Sequence, residues 1–153
     1  LLEEVLEWIA PAALKLNIEL KNGIIPYPDM EEKAVRLVRR YNMEYRVIFS
    51  SFNHYSIAKL AKIAPDIEPA ILYMAGLYQP WEYAKKIGAR ALHPLYYNAV
   101  PEIVRGTQEA GLAIRPFTVD QEEDLVRMIR LGVDAVITNH PARMKKLLEE
   151  GPV

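Results

Sequence analysis

The sequence contains no cysteine among its 153 residues. This excludes a disulfide framework and a cysteine-based zinc site, and it fits a reducing compartment, so we expect a cytoplasmic location. Neither sign of charge dominates, because 19 basic residues stand against 20 acidic ones. Nucleic acid and anionic membrane surfaces are therefore not expected as partners. No apolar run approaches the ~20 residues of a membrane span.

Short apolar runs alternate with longer helical patterns along the whole chain. The predicted strands are 16–21, 45–50, 69–73, 90–93, 112–118 and 134–138. The predicted helices are 29–41, 53–64, 80–87, 101–110, 120–131 and 141–149. The strands begin roughly 20 to 30 residues apart, a spacing typical of βα units with parallel strands and crossover helices. We predict one α/β domain over residues 1–153, preceded by no basic signal segment, since the first ten residues form an acidic amphipathic helix.

Proline and glycine support these helix bounds. Proline stands at the first position of three predicted helices, at Pro80, Pro101 and Pro141. Glycine follows the end of three predicted helices, at Gly88, Gly111 and Gly132, where a left-handed conformation is needed. The pairs Asp29–Glu32 and Asp120–Glu123 match the capping-box pattern at helix starts.

The stretch LNIELKNG places polar residues at alternate positions of a predicted strand. Asn17, Glu19 and Lys21 point to one face, because successive side chains of a strand alternate. If both faces were covered, burying these groups without partners would cost several kcal/mol. Two architectures suit parallel βα units: a doubly wound open sheet and a (β/α)8 barrel. No glycine-rich phosphate loop follows a strand, whereas inward polar residues near strand ends form the site of a barrel, so the barrel is favoured.

The motifs NIE-x-K, SSF, HP and TVD occur in one order and spacing across nearly the whole chain. In this order they resemble the glycerophosphodiester phosphodiesterases, in particular the bacterial metal-dependent branch with a TIM-barrel fold. The resemblance implies an α/β (β/α)8 TIM barrel, of which this chain supplies about six βα units. It also implies hydrolysis of glycerophosphodiesters to glycerol 3-phosphate and an alcohol. A divalent metal, Ca2+ or Mg2+, and two histidines acting as general acid and base would carry out the reaction.

Three segments of the family's pattern are absent from the 153 residues. They are an HRG strand, an E-x-D strand and an HD segment, which carry both catalytic histidines and two of the three carboxylate ligands. We expect them upstream, so this chain would be the C-terminal portion of the barrel. No catalytic residue is therefore assigned within it, and we predict that it shows no phosphodiesterase activity alone.

The resemblance assigns roles to several residues that are present. Glu19 matches the metal-binding glutamate, and Lys21 matches the lysine that would neutralise a phosphate oxygen. An ordinary ion pair between these two is the alternative. Phe52, His93 and Phe117 would bind substrate, although a purely structural role remains open for each of the three.

Predictions for the other polar residues are less specific. His54 is expected to have a surface or capping role, and His140 is expected to be a loop residue. Ser50 and Ser51 lie outside any G-x-S-x-G elbow, so a covalent serine mechanism is not expected. Tyr96 and Tyr97 follow His93 directly, and a specificity loop or simple packing would explain them equally.

Two other functions compete with the phosphodiesterase. In the first, the chain is a non-catalytic fragment or partner chain that oligomerises through open barrel edges, since bare strand edges invite pairing. In the second, it is a TIM-barrel enzyme for a sugar phosphate, which is disfavoured because the last two loops, TVDQEED and TNHPARM, are not glycine-rich. The expected partner is a small-molecule glycerophosphodiester, together with a homo-oligomer or the missing N-terminal segment.

Overall fold

Helices and strands alternate along the chain in the computed structural model, which describes residues 1–151, the side chain of Glu150 excepted. The strands are β1 (Leu16–Glu19), β2 (Val47–Ser51), β3 (Glu68–Tyr73), β4 (Ala91–Pro94) and β5 (Ala113–Ile114). The helices are α1 (Leu2–Ile9), α2 (Met30–Arg40), α3 (His54–Ile63), α4 (Pro80–Ile87), α5 (Pro101–Glu109), α6 (Glu122–Leu131) and α7 (Pro141–Glu150). Short 3-10 turns lie at Glu44–Arg46 and Tyr96–Asn98. No described helix is long and apolar enough to cross a membrane.

The strands form one sheet in sequence order, β1-β2-β3-β4-β5. The pairs β1–β2, β2–β3 and β4–β5 are parallel. Every residue of β2 is buried, and so is every residue of β4, as expected for parallel strands that are covered on both faces. The predicted α/β class with parallel strands is confirmed.

The predicted strand at 134–138 is wrong, because these residues are not in a strand. The segment nevertheless forms backbone hydrogen bonds with β5 and with the residues just after it. Asp134 donates its backbone N–H to Ile114 O (3.1 Å), and Ile137 donates to Pro116 O (2.8 Å). Pro116 accepts that bond but has no N–H to donate in return, which interrupts a regular ladder at this point. For the same reason β5 is shorter than the predicted 112–118.

Helix starts at proline and helix ends at glycine are confirmed. Helices α4, α5 and α7 begin at the three predicted prolines, and the three predicted glycines all have positive φ, as at Gly132 (69°). The capping boxes are wrong. Asp29 precedes α2 but adopts a left-handed conformation (φ 57°) with no side-chain cap, and α6 has Gln121 at its N-cap position in place of Asp120.

The chain divides into two compact units. The first comprises Leu1–Ile71 and Ala84–Arg90, and the second comprises Leu72–Tyr83 and the residues from Ala91 onward. In the first unit α1 packs on α2, and α2 packs on α3. In the second unit α5 packs on β5, and α6 packs on α7. The single domain over 1–153 stays a prediction.

The polar face of β1 differs from what the sequence suggests. Asn17, Glu19 and Lys21 are exposed, whereas Leu16 and Ile18 are half-buried. The seclusion of the polar groups inferred from the alternation is therefore wrong for the described residues. The reason is that β1 stands at an edge of the sheet formed by residues 1–151.

Candidate active site

A pocket of about 480 Å³ opens at the carboxyl ends of β1 and β2 in the first unit. It contains three of the residues that the sequence singled out, namely Glu19, Lys21 and Phe52. The rest of its lining comes from the segment after β1: Leu20, Gly23, Ile24, Ile25 and Tyr27. Two neighbouring parallel strands deliver these groups to one place because their carboxyl ends lie at the same edge, as Glu19 pairs with Ser50 in the register. This is the edge at which parallel α/β folds bind ligands.

The two charged residues of the pocket do not neutralise each other. Within residues 1–151, neither Glu19 nor Lys21 forms an ion pair or a side-chain hydrogen bond. The alternative reading of an ordinary Glu19–Lys21 ion pair is therefore not what the structure shows. A carboxylate and an ammonium with no protein partner are both available to a ligand.

Asn22 directly follows Lys21, and its buried side chain holds the beginning of the chain segment that follows β1 and lines the pocket. Its Nδ2 donates to Ser56 Oγ on α3 (2.7 Å) and to Glu31 Oε1 on α2 (3.2 Å). Ser56 Oγ donates to the same Glu31 oxygen (2.5 Å). The side chains of Asn22, Glu31 and Ser56 are all buried. The backbone that carries Lys21 is thus tied to two helices through one polar cluster.

Ser51 and Asn53 extend this cluster to the end of β2. Ser51 Oγ donates to Leu20 O (2.7 Å) and accepts the backbone N–H of Asn53 (2.9 Å). Asn53 Nδ2 donates to the backbone carbonyl of Asn22 (3.3 Å), while its Oδ1 caps α3. The hydroxyl of Ser51 therefore holds the two strand ends together, which is a structural role.

The buried carboxylate of the cluster is compensated by hydrogen bonds and by a lysine. Burial alone would raise the pKa of Glu31, but hydrogen bonds from Ser56 and Lys59 outweigh it and hold the pKa below the usual 4.5. Lys59 Nζ lies 3.0 Å from Glu31 Oε2 and 2.9 Å from Glu32 Oε2. The cluster thus contains a carboxylate that stays charged near neutral pH, with partners on both oxygens.

His93, predicted to bind substrate, lies on β4 in the second unit and is 1% exposed. Its Nε2 is 3.3 Å from Arg115 Nη1. A guanidinium only donates, so Nε2 accepts and the ring proton resides on Nδ1, which has no partner within residues 1–151. Burial first, and the charge of Arg115 second, lower the pKa of His93 to about 3. A histidine that is neutral in this way is a poor general acid or base at neutral pH, and its substrate-binding role stays a prediction.

Phe117 is half-buried in the second unit, in the segment after β5. Its backbone N–H donates to Pro94 O (2.9 Å), and its carbonyl accepts from Tyr96 (2.8 Å). These bonds place Phe117 beside the end of β4, and its contact with substrate stays a prediction. Phe52 lines the pocket of the first unit and is 45% exposed, so it is open to a ligand.

The tyrosine segment after His93 borders a second, smaller cavity. This cavity, of about 260 Å³, lies within the second unit, and Tyr73, Tyr78, Tyr97 and Asn98 are among its lining residues. Asn98 Nδ2 donates to the carbonyls of Met74 (2.9 Å) and Ala75 (3.2 Å), which ties its two walls together. Of the other two histidines, His54 is the first residue of α3 and His140 is an exposed loop residue.

The structural roles of Asn22, Glu31 and Arg115 were not predicted from the sequence. Asn22 stands in a loop-like stretch, and Glu31 has the position of an ordinary acidic residue in a first helical turn. The one available signal was an arginine inside the apolar strand pattern LAIRPFT, which would need a partner if buried.

The described residues contain no group of three His, Asp or Glu side chains that could hold a metal ion. A hard cation takes six to eight oxygen ligands in the case of Ca2+, and near-octahedral coordination in the case of Mg2+. The carboxylate of Glu19 is exposed and has no partner among residues 1–151, so it could serve as one such ligand. The part of the chain that the structure describes therefore contains no complete metal site.

Parallel βα units with a pocket at the carboxyl ends of their strands place the chain in the α/β class of folds. Comparison with known proteins gives the family. The model of the glycerophosphoryl diester phosphodiesterase family matches residues 1–143. The chain therefore belongs to this family, and its parallel α/β architecture matches part of the TIM barrel predicted from the sequence.

Individual relatives agree with this assignment. A glycerophosphodiester phosphodiesterase from Caldanaerobacter subterraneus is 45% identical over 98% of this chain, and the match covers 62% of that protein. A crystal structure from Silicibacter pomeroyi, provisionally named a glycerophosphoryl diester phosphodiesterase, is 26% identical with a TM-score of 0.90, over 97% of this chain and 56% of the other. A phosphodiesterase from Oleispira antarctica, in complex with the product sn-glycerol-3-phosphate, shares the fold with a TM-score of 0.79 at 22% identity, over 97% of this chain and 60% of its own. The chain thus spans about 62% of the length of its curated relative.

Proposed function

We propose that the protein hydrolyses glycerophosphodiesters to glycerol 3-phosphate and an alcohol, with the help of Ca2+ or Mg2+. The observation that carries the proposal is the pair of unpartnered charges, Glu19 and Lys21, beside one pocket in a chain of this family. In the net reaction the oxygen of water bonds to phosphorus and the ester bond to the alcohol breaks. The proton of the water ends on the alcohol oxygen.

Lys21 is the residue of this chain that would bind the phosphate. Its ammonium is exposed beside the pocket, and it would place positive charge next to a non-bridging phosphoryl oxygen, where negative charge grows in the transition state. The buried Asn22 that follows it would hold the backbone of Lys21 in position through Ser56 and Glu31. Orientation of this kind lowers the barrier because it is established before the reaction.

Glu19 is the residue that would contribute a ligand to the cation. A bound divalent ion supplies Lewis-acid polarisation of a phosphoryl oxygen. The general acid and base of the reaction are not assigned to this chain, which agrees with the low pKa of His93. We propose that His93 and Phe117 contact substrate in the whole protein, as the family pattern implies, and that Phe52 lines the substrate pocket.

The test is release of glycerol 3-phosphate from glycerophosphoethanolamine by the full-length gene product, with Ca2+ or Mg2+ added. We expect turnover with at least one of the two ions, and a weaker apparent affinity for that ion in Glu19→Gln. The matched control is Glu7→Gln, an exposed glutamate on α1 that lies outside the pocket. Absence of product with either ion would overturn the proposal, and wild-type ion affinity in Glu19→Gln would remove Glu19 from the metal site.

The 153-residue chain assayed alone provides a separate result. We predict no turnover above the blank, because the sequence contains neither the HRG nor the HD segment. Measurable hydrolysis by this chain would contradict that prediction and would require a general acid and base among its own residues.

A non-catalytic role as an oligomerising partner chain is the second candidate. It is favoured by β1, which has one strand neighbour among residues 1–151 and leaves backbone groups open to pairing. Size-exclusion chromatography of the chain would show a dimer or larger species. A monomer that unfolds cooperatively on heating would count against this role.

A further inference from the structure

The segment after β1 contains apolar side chains that are exposed and do not belong to the buried core. Ile24 is 96% exposed, and Ile25 and Tyr27 are 58% and 50% exposed. Single exposed apolar residues are common and need no explanation. Here three of them follow one another within four positions, and they line the same pocket as Phe52.

The backbone of this segment is anchored on the side of Lys21. Asn22 is buried and hydrogen-bonded to α2 and α3, and its carbonyl accepts from Asn53 (3.3 Å). On the far side, Lys33 Nζ donates to the carbonyl of Pro28 (3.0 Å), and Met30 donates its N–H to Tyr27 O (3.3 Å). A segment held at both ends presents its apolar side chains in a fixed place, which lowers the entropic cost of binding.

The lining of the pocket contains side chains of two kinds. Glu19 and Lys21 are charged, and Ile24, Ile25, Tyr27 and Phe52 are apolar or aromatic. A ligand pocket of this size is usually apolar with a few polar groups that fix orientation. Lys21 has no partner among residues 1–151, so we expect an anionic group to bind at its ammonium, and the group bonded to that anion to contact the apolar side chains of the same pocket.

We propose that the apolar side chains of this pocket bind the alcohol part of the substrate, and that the protein prefers diesters of glycerol 3-phosphate whose alcohol carries an alkyl chain. This inference rests on the proposed function and narrows its substrate class. A concave pocket beside a cationic group suits a single chain attached to a phosphate. A membrane surface is a less suitable occupant, because the chain has a net charge of −1 and no excess of basic residues.

The experiment compares two substrates that differ only in the alcohol, the ethyl and the octyl diesters of glycerol 3-phosphate. Each fully buried CH2 group is worth roughly fourfold in affinity. With an open pocket we expect kcat/KM of the full-length gene product to be at least about tenfold higher for the octyl ester. Calorimetric titration of this chain with octyl phosphate and with ethyl phosphate gives the same comparison without catalysis, and we expect tighter binding of octyl phosphate.

Two variants test whether Ile24 and Ile25 cause the preference for the octyl ester. In the double variant Ile24→Ser/Ile25→Ser the octyl-to-ethyl ratio is expected to fall toward 1, whereas in Leu14→Ser it should stay at the wild-type value. Leu14 is a matched control because it is 56% exposed, close to Ile25, and lies outside the pocket. The ratio is measured within each variant, so a general loss of activity does not imitate the result.

The outcomes separate this inference from the proposed function. Hydrolysis of both esters with a ratio near 1 in the wild type would overturn the inference and leave the phosphodiesterase intact. Hydrolysis of neither ester would overturn the inference, and the assay with glycerophosphoethanolamine would then decide separately on the proposed function. Binding to phosphatidylcholine vesicles that is lost in the double variant, together with a ratio near 1, would assign the isoleucines to a lipid surface and would also overturn the inference.

Discussion

Asn22 donates a hydrogen bond of 2.7 Å from its Nδ2 to Ser56 Oγ, and so joins the end of β1 to the first turns of α3 across 34 residues of sequence. Asn22 directly follows Lys21, the charged residue proposed to bind the phosphate. The rigidity of the candidate site therefore depends on a side chain that does not itself line the pocket.

Replacement of Asn22 tests this dependence. Asn22→Ala removes two donated hydrogen bonds, to Ser56 and to Glu31, in a buried place. We expect a loss of about 1–3 kcal/mol in the free energy of unfolding, measured by urea denaturation. Asn17→Ala, at an exposed position on β1, is the control and should change stability by less than about 0.5 kcal/mol. Equal effects of the two changes would contradict the role of Asn22.

Adjacent glutamates on α2 provide a second matched pair. Glu31 and Glu32 both contact Lys59, but the side chain of Glu31 is 8% exposed and that of Glu32 is 36% exposed. Glu31→Gln should cost about 1–3 kcal/mol at neutral pH, since it weakens the bonds from Ser56 and Asn22 in a buried cluster. Glu32→Gln should cost less than about 0.5 kcal/mol, because exposed pairs contribute little.

The pH dependence of this pair has a defined sign. The pKa of Glu31 is lower in the folded protein than its usual 4.5, so its contribution to stability is present above pH 4.5 and is lost as the pH falls through the folded value. The difference between the wild type and Glu31→Gln should therefore narrow in acid urea titrations. A difference that stays constant down to strongly acidic pH would mean that the charge of Glu31 is not involved.

Helices were predictable from the sequence because their signals are local. Proline at Pro101 and glycine at Gly132 mark a start and an end within a few residues, and the observed bounds agree with the predicted ones to within one or two positions. The strand at 134–138 was predicted wrongly, since an apolar run does not reveal that its neighbour, Pro116, lacks an N–H. Strands depend on a partner elsewhere in the chain, whereas helices satisfy their own backbone.

Residues of the candidate site could be predicted only where they belong to a recognisable sequence motif. Glu19 and Lys21 stand out because a carboxylate and an ammonium alternate with apolar residues in a strand, and the structure brings both to one pocket. Their positioning cluster could not be predicted, because Asn22 meets Glu31 and Ser56 at separations of 9 and 34 residues. Likewise, the contact of His93 with Arg115 spans 22 residues. Burial first, and the charge of Arg115 second, lower the pKa of His93 so that it is neutral near pH 7, and neither cause is visible in the local sequence.

His93 should make the stability of the protein sensitive to mild acid. Burial lowers the pKa of His93 to about 3 in the folded protein, against an ordinary value of 6.5. Between these two values the imidazole is protonated in the unfolded chain and neutral in the folded protein. The contribution is complete above pH 6.5 and is lost progressively as the pH falls toward 3. Between pH 6.5 and 5 we expect a loss of about 2 kcal/mol in the free energy of unfolding.

The corresponding variants are His93→Gln and His140→Gln, compared by urea denaturation at pH 7 and pH 5. His93→Gln should lack that acid sensitivity whatever its stability at pH 7, whereas His140→Gln, at an exposed position, should keep it. If His93→Gln retained the wild-type slope between pH 7 and 5, another group would be responsible.

Gly106 on α5 should resist the substitution that normally stabilises a helix. Glycine to alanine inside a helix usually gains roughly 0.5–1 kcal/mol. At Gly106 an added Cβ would lie 2.5 Å from Cζ3 and 2.8 Å from Cζ2 of the Trp81 ring. We expect Gly106→Ala to lower the unfolding free energy by about 1–3 kcal/mol through overpacking.

Two further variants check that explanation. Gly76→Ala places its Cβ 3.8 Å from Asn98 Oδ1, an ordinary contact, and should be tolerated. Trp81→Leu combined with Gly106→Ala should cost less than the sum of the two single changes, since the shorter side chain relieves the overlap. Simple additivity in this double-mutant cycle would show that the ring is not the cause.

Replacement of Lys21 is the most direct test of phosphate binding at this pocket. Lys21→Met keeps most of the side-chain length and removes the ammonium, which has no protein partner within residues 1–151 and is exposed. Removing one preorganised group that stabilises transition-state charge typically costs about 10²–10³ in rate, so we expect a loss of that size in kcat/KM of the full-length gene product. Stability should change by less than about 0.5 kcal/mol, because the lysine is exposed and forms no ion pair or side-chain hydrogen bond within residues 1–151.

Two further variants are controls for this change. Lys15→Met, at an exposed lysine just before β1, should leave both quantities unchanged. Lys21→Arg should recover part of the activity, because a guanidinium restores the charge without the compact geometry of an ammonium. Wild-type kcat/KM in Lys21→Met would mean that the phosphate does not bind in this pocket, since no other cationic side chain lines it among the described residues.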